Sequence, residues 1–230
     1  TRANEPTAHW SFLYVLFLAA IYSVFGPAPL AARIVQALIV GVLHPLLVWR
    51  IGRRLFNPTV GLVSAALPAV YGYFVFYAGA LVTESLYVLA FLWVLDIATA
   101  LACSTRGRHH IGSFGPWILL GLAFGVAALL RQVFLLLVPF ILGWVAWQLF
   151  RRRVGVGDSW GVVVALAGRM AVTVGILLVC ILPWTARNYR AFGQFVLLNT
   201  NAGFVLFWGN HPVHGTEFIP IMSYGAVNYG

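Results

Sequence analysis

Phe76-Tyr-Ala-Gly-Ala-Leu-Val-Thr-Glu-Ser85 joins two long apolar runs and places one acid, Glu84, at their junction. The runs on either side are long and apolar enough to cross a bilayer. Hydrocarbon solvates charge badly, so a carboxylate there must face water, a cation or a partner. Thr83 and Glu84 also suit the start of a helix, where the backbone N–H groups welcome an oxygen and a negative charge. Both readings stand on this stretch alone.

The whole chain supports a membrane assignment. Its 230 residues are 62% hydrophobic and 8% charged, against about a quarter charged in a soluble domain. Mean hydropathy is +0.93. Nine Trp suit the aromatic belts at membrane interfaces. The net charge is +9, but the basic residues are all Arg and sit at the ends of apolar runs. That distribution orients a membrane protein and is not a nucleic-acid face. Cys103 and Cys180 lie far apart without metal-ligand neighbours, so neither a disulfide framework nor a metal cluster is expected there.

Residues 1–9 read as the end of an outer loop. A helix over 10–25 would cover roughly 24 Å against a hydrocarbon core of about 30 Å, so an interfacial helix stands as the alternative to a span, and the family resemblance given below implies a juxtamembrane helix. Gly26-Pro-Ala-Pro29 ends it. Spans are expected at 31–49, 59–77 (with a kink at Pro68), 81–101, 114–130, 133–150 and about 170–184. The fold class is therefore all-α, a polytopic bundle of about six spans plus a juxtamembrane helix. Pro183 and Trp184 are expected to stop the last helix, leaving 185–230 as an outer-face segment. The chain begins at Thr1 and stops at Gly230 in a polar, aromatic-rich stretch, so it reads as a fragment of a longer protein.

Arg50, Arg53, Arg54, Arg106, Arg108 and Arg151 to Arg153 all fall on one face if these spans alternate. The positive-inside rule makes that face cytoplasmic. Glu84, Arg33, Arg131 and Arg187 then gather on the other face. Arg131, in Leu129-Leu-Arg-Gln-Val133, stands between two spans with almost no loop. It reads either as a snorkelling side chain or as a phosphate partner, because guanidinium matches phosphate oxygens in pairs. The same two readings apply to Arg33. Arg187, Asn188 and Tyr189 would face headgroups. Asp96, late in its span, is expected to pair with an Arg. Gly121 and Gly125 form a small-xxx-small pair that lets helices approach closely. His44 reads as a packed polar residue, His109-His110 as a loop pair, and His211 and His214, near Glu217, as solvated loop residues with a metal role as the alternative.

In this order and spacing, a set of motifs resembles one group of enzymes. They are Phe17-Leu-Ala-Ala-Ile-Tyr-Ser-Val-Phe-Gly26, Ala32-Arg-Ile-Val-Gln36, Gly52-Arg-Arg-Leu-Phe56, Thr83-Glu-Ser85, Leu130-Arg131 and Leu182-Pro-Trp-Thr-Ala-Arg-Asn-Tyr-Arg-Ala-Phe-Gly193. Asn199-Thr-Asn-Ala-Gly203 and Gly209-Asn-His-Pro212 extend the set. The chain resembles glycosyltransferases of the GT-C fold related to the dolichyl-phosphate-mannose protein mannosyltransferases and the lipid A aminoarabinose transferases. It departs from them at His9-Trp-Ser-Phe12, where relatives often carry Arg-Pro-Pro.

The resemblance implies a multi-pass enzyme of the cell membrane, with its active site facing the outside or periplasm. Such an enzyme moves a hexosyl or pentosyl group from a polyprenyl-phosphate donor to a lipid, glycan or protein. Glu84 matches an acidic position that in relatives helps bind a divalent metal or orients the acceptor. Arg131, Arg33, Arg187, Asn188 and Tyr189 are the matching candidates for substrate binding. The main catalytic acid of such enzymes lies in an Asp-containing motif after the first span. That region is not in this chain, so the fragment is expected to be inactive alone. Membrane lipids are expected partners and nucleic acid is not. Two other classes fit the composition: a flippase for a phosphate-bearing lipid, and a non-catalytic scaffold. Transporters usually place sites near the midplane and carry paired repeats, neither of which is visible here.

Overall fold

The computed structural model describes residues 7–8, 10–103, 113–152 and 159–200. The described residues are almost all helical: α1 (Phe12–Phe25), α2 (Pro29–Leu55), α3 (Pro58–Val70), α4 (Gly72–Gly79), α5 (Thr83–Cys103), α6 (Gly115–Leu130), a 3-10 turn (Gln132–Leu136), α7 (Val138–Arg151) and α8 (Ser159–Phe192). No strand occurs among them. Proline opens several of these helices, where its missing N–H costs nothing. It stands in the first turn of α2, α3, α6 and α7. Asn57 caps α3, its side-chain oxygen accepting from Val60 N at 2.8 Å. Gly26 and Gly193 close α1 and α8 with φ of 70° and 65°, a backbone region that favours glycine.

Helices α2, α5 and α8, and the 3-10 turn with α7, are long and apolar enough to cross a membrane. Helices α3 and α4 together form a fifth candidate, bent by 58°. The expected kink at Pro68 is displaced: Pro68 stays helical, and the chain breaks at Tyr71, which is extended at φ −72°, ψ 111°. The hydrogen bonds continue across the break, from Tyr71 N to Leu67 O and from Val75 N to Tyr71 O.

Six spans were expected, and α6 is the one that falls short of the span criterion. It lies at the centre of the bundle, with Trp117, Leu120, Ala123, Phe124 and Ala127 all 0% exposed. Protein covers most of its surface, and Ile118, Leu119 and Leu122 are its large side chains that stay exposed. Two glycines let α8 pack directly on it. A Cβ at Gly121 would stand 2.6 Å from Thr173 O, and one at Gly125 would stand 2.6 Å from Cys180 Sγ. Gly52 and Gly61 make the same kind of crossing between α2 and α3.

The last helix differs most from expectation. It starts at Ser159 and runs through Pro183 to Phe192, instead of spanning 170–184 and stopping at Pro183 and Trp184. A proline removes one backbone donor, and a membrane helix tolerates that loss when neighbours supply other bonds. Here the turn beyond Pro183 is tied down. Thr185 Oγ1 lies 3.2 Å from Ile181 O and 2.7 Å from Leu197 O. Trp184 Nε1 donates to Leu198 O at 2.9 Å. Residues 193–200 thus turn back over the end of the bundle, with Leu198 buried.

Candidate active site at one end of the bundle

Contacts sort the charged residues into two ends. Ser11 donates to Leu130 O, Arg131 pairs with Glu84, and Asn199 N donates to Gln132 Oε1 at 3.2 Å. Arg187 Nη1 donates to Thr7 O at 3.3 Å. These contacts bring the starts of α1 and α5 and the ends of α6 and α8 to one end. Arg50 and Arg54 meet Asp96 toward the other. The separation of Glu84, Arg131 and Arg187 from Arg54, expected from the alternating Arg clusters, is thus present in the fold. Arg106, Arg108, Arg153, His109, His110, His211, His214 and Glu217 lie outside the described residues.

At the first end, Glu84 occupies the first turn of α5, so it is a helix-start residue. It is also an ion-pair partner: Arg131 Nη2 reaches its Oε1. Thr83 Oγ1 lies 3.4 Å from its Oε2. Arg131 ends α6 in extended backbone at φ −147°, ψ 114°, and its guanidinium sits 5.7 Å from the Tyr87 ring centre. The short link to the 3-10 turn turns this side chain toward α5 and not out to lipid.

The other candidates are placed less uniformly. Arg187 lies 4.6 Å above the Trp184 ring, and Trp184 stacks on Phe12 at 3.9 Å. Tyr189 is exposed, and so is Arg33, which makes no ion pair or hydrogen bond with the described residues. Asn188 is wholly buried. Its Nδ2 donates to Leu198 O at 3.0 Å and Val196 O at 3.3 Å, and its Oδ1 accepts from Arg187 at 3.2 Å. In this arrangement Asn188 braces the end of α8 and steers Arg187; it presents nothing to a ligand.

Two further residues shape this end. Gln36, 0% exposed on α2, directs its Nε2 at the carbonyls of Ala80 (2.6 Å), Ala78 (3.1 Å) and Tyr77 (3.4 Å). These are the carbonyls left open where α4 ends. Tyr14 donates to Gln36 Oε1 at 3.1 Å. Burial, then the charges of Tyr22 and Glu84, push the Tyr14 phenol up to about 12, so it remains a donor near neutral pH. Gln36 therefore links α1 and α2 to the turn that delivers Glu84. A lone amide inside an apolar run was the signal that could have marked it.

A cavity of about 1050 Å³ reaches Leu86, two residues from Glu84, and Leu130, next to Arg131. Leu13, Leu86 and Leu130 line its near part, and it continues down the groove between α2, α5 and α6. Its wall is almost wholly apolar. The arrangement offers a guanidinium and a carboxylate beside one end of an apolar channel that neither of them lines. The described residues hold two carboxylates in all, Glu84 and Asp96, and no group of three or more His, Cys, Asp or Glu able to hold a metal.

Fold and site together define a multi-pass helical membrane protein of the GT-C type, with a charged site at one end. Residues 9–184 match the dolichyl-phosphate-mannose-protein mannosyltransferase family, and the chain belongs to that family. It is therefore a member of a family of membrane glycosyltransferases. No curated protein and no solved structure shows a significant match.

Proposed function

We infer that the protein transfers a sugar from a polyprenyl-phosphate donor to a hydroxyl of a lipid, glycan or protein, at the outer membrane face. One observation carries this reading: the Glu84–Arg131 pair stands beside the end of the apolar cavity that Leu86 and Leu130 line. A lipid-phosphate-sugar needs that combination, an apolar slot for the tail and fixed charge for the head.

In the transfer, the acceptor oxygen attacks the anomeric carbon and the bond from that carbon to the phosphate oxygen breaks. The phosphate leaves with the electron pair, and the acceptor proton passes to a carboxylate. Arg131 neutralises the leaving phosphate through charge-assisted hydrogen bonds, with Arg187 nearby. Glu84 receives or orients the acceptor hydroxyl. The donor's phosphate competes with Glu84 for Arg131, so donor binding frees the carboxylate for the acceptor. The resting ion pair thereby keeps both groups in place before substrate arrives.

The test is transfer of radiolabel from a polyprenyl-phosphate-sugar to acceptor by the full-length protein in vesicles. Label should move in the wild type and depend on Glu84 and Arg131. Absence of transfer from every phosphate-linked polyprenyl sugar tried, by folded protein, would refute the reading.

A further inference from the structure

The charge that lines the cavity lies at its other end. Along α5 it runs from Leu86 to Leu101, roughly 22 Å at 1.5 Å per residue. Its charged lining residues, Arg50 and Asp96, both lie in the part away from Glu84. Arg50 Nη2 and Arg54 Nη2 each stand 2.9 Å from a different oxygen of Asp96. Arg54 also donates to Asp96 O at 2.8 Å and to Thr99 Oγ1 at 2.7 Å.

Two guanidinium groups against one carboxylate leave this mouth with a positive excess. Arg54 is committed and its side chain is 24% exposed; that of Arg50 is 47% exposed. Arg50 meets Asp96 through Nη2 alone, so its Nη1 and Nε remain to bind an anion. Arg53, one helical turn on and stacked 4.2 Å over Trp49, adds a third cation to the same end of α2.

We propose that this mouth binds an anionic phospholipid of the adjacent leaflet. Its phosphate sits on Arg50 and one acyl chain enters the cavity past Leu46 and Leu47. Asp96 is the positioning residue that holds Arg50 at the opening. Charge complementarity selects the head: a zwitterionic lipid would bring its own ammonium to an already cationic rim. The apolar wall selects a lipid over free phosphate. This site is separate from the Glu84–Arg131 end.

Lipid-stripped full-length protein in detergent provides the test, with native mass spectrometry reading binding. The probes are phosphatidylglycerol, phosphatidylcholine and inorganic phosphate. Phosphatidylglycerol should be retained about tenfold more tightly than phosphatidylcholine, and phosphate not at all. Arg50→Gln should abolish the preference and Arg131→Ala should keep it. A phosphatidylglycerol with a photoreactive acyl chain should label wild-type peptides around Leu46, Ala100 and Leu119, and unlabelled phosphatidylglycerol should compete. That mapping decides the matter even if Arg50→Gln does not fold. Equal binding of the two lipids, a preference that survives Arg50→Gln, or label confined to the lipid-facing surface would overturn the proposal.

Discussion

Arg131 and Glu84 form an ion pair while their side chains remain 40% and 42% exposed. A pair so open to solvent contributes about 0–1 kcal/mol to folding. Stability therefore accounts for little of why these two charges are held together.

Glu84→Gln keeps the shape of the side chain and removes the charge. Turnover in the full-length protein should fall at least about a hundredfold, equivalent to some 2.7 kcal/mol of transition-state stabilisation. Melting in detergent should barely move. Near wild-type turnover would return Glu84 to a helix-start residue and nothing more.

Arg131→Ala should weaken use of the phosphate-linked donor by about one to two decades, the loss of one charge-assisted bond. The defect should appear in donor concentration dependence and leave protein level unchanged. Arg131→Lys should recover only part of it, because an ammonium lacks the planar pair of donors. Donor kinetics unaltered by Arg131→Ala would favour a purely structural ion pair.

The two ends of the bundle should open to opposite sides of the membrane. Arg187→Cys in intact cells should react with an impermeant thiol reagent. Arg54→Cys should react only after the membrane is permeabilised. Labelling of both from one side would contradict the fold's placement of these residues.

Gly125→Ala should lower the melting temperature, since its new Cβ would stand 2.6 Å from both Cβ and Sγ of Cys180. Overpacking of this kind costs about 1–3 kcal/mol. Cys180→Gly in the same chain should restore part of the loss. Additive effects of the two changes would show that α6 and α8 do not meet through this pair.

Much of this was legible in the sequence because charge is so scarce in it. The alternation of Arg clusters told which residues share an end, and the near absence of acids made Glu84 conspicuous. Gly121 and Gly125 announced a close helix crossing, and Asp96 an internal ion pair. Asn188 was not legible as a brace. Its partners, the carbonyls of Val196 and Leu198, come within reach only because α8 continues past Pro183. A local rule that proline stops helices hid that continuation. Gln36 escaped for a related reason: the carbonyls it meets belong to a different helix and open only where α4 ends at Gly79, an end that no single residue type dictates.

The contact between Arg187 and Thr7 joins residues 180 positions apart, and Thr200 N donates to Ala8 O at 3.1 Å beside it. This has a consequence for how the protein is made. A ribosome delivers Ala8 to the membrane long before Thr200 exists, so the early segment must wait, unfastened, while the intervening helices insert. The Glu84–Arg131 pair is complete in the nascent chain before α8 emerges. The clasp above it closes only at the end of synthesis. Folding intermediates stalled before α8 would thus carry the paired charges under an open roof, and digestion of nascent chains of increasing length should show residues 7–12 becoming protected in one late step.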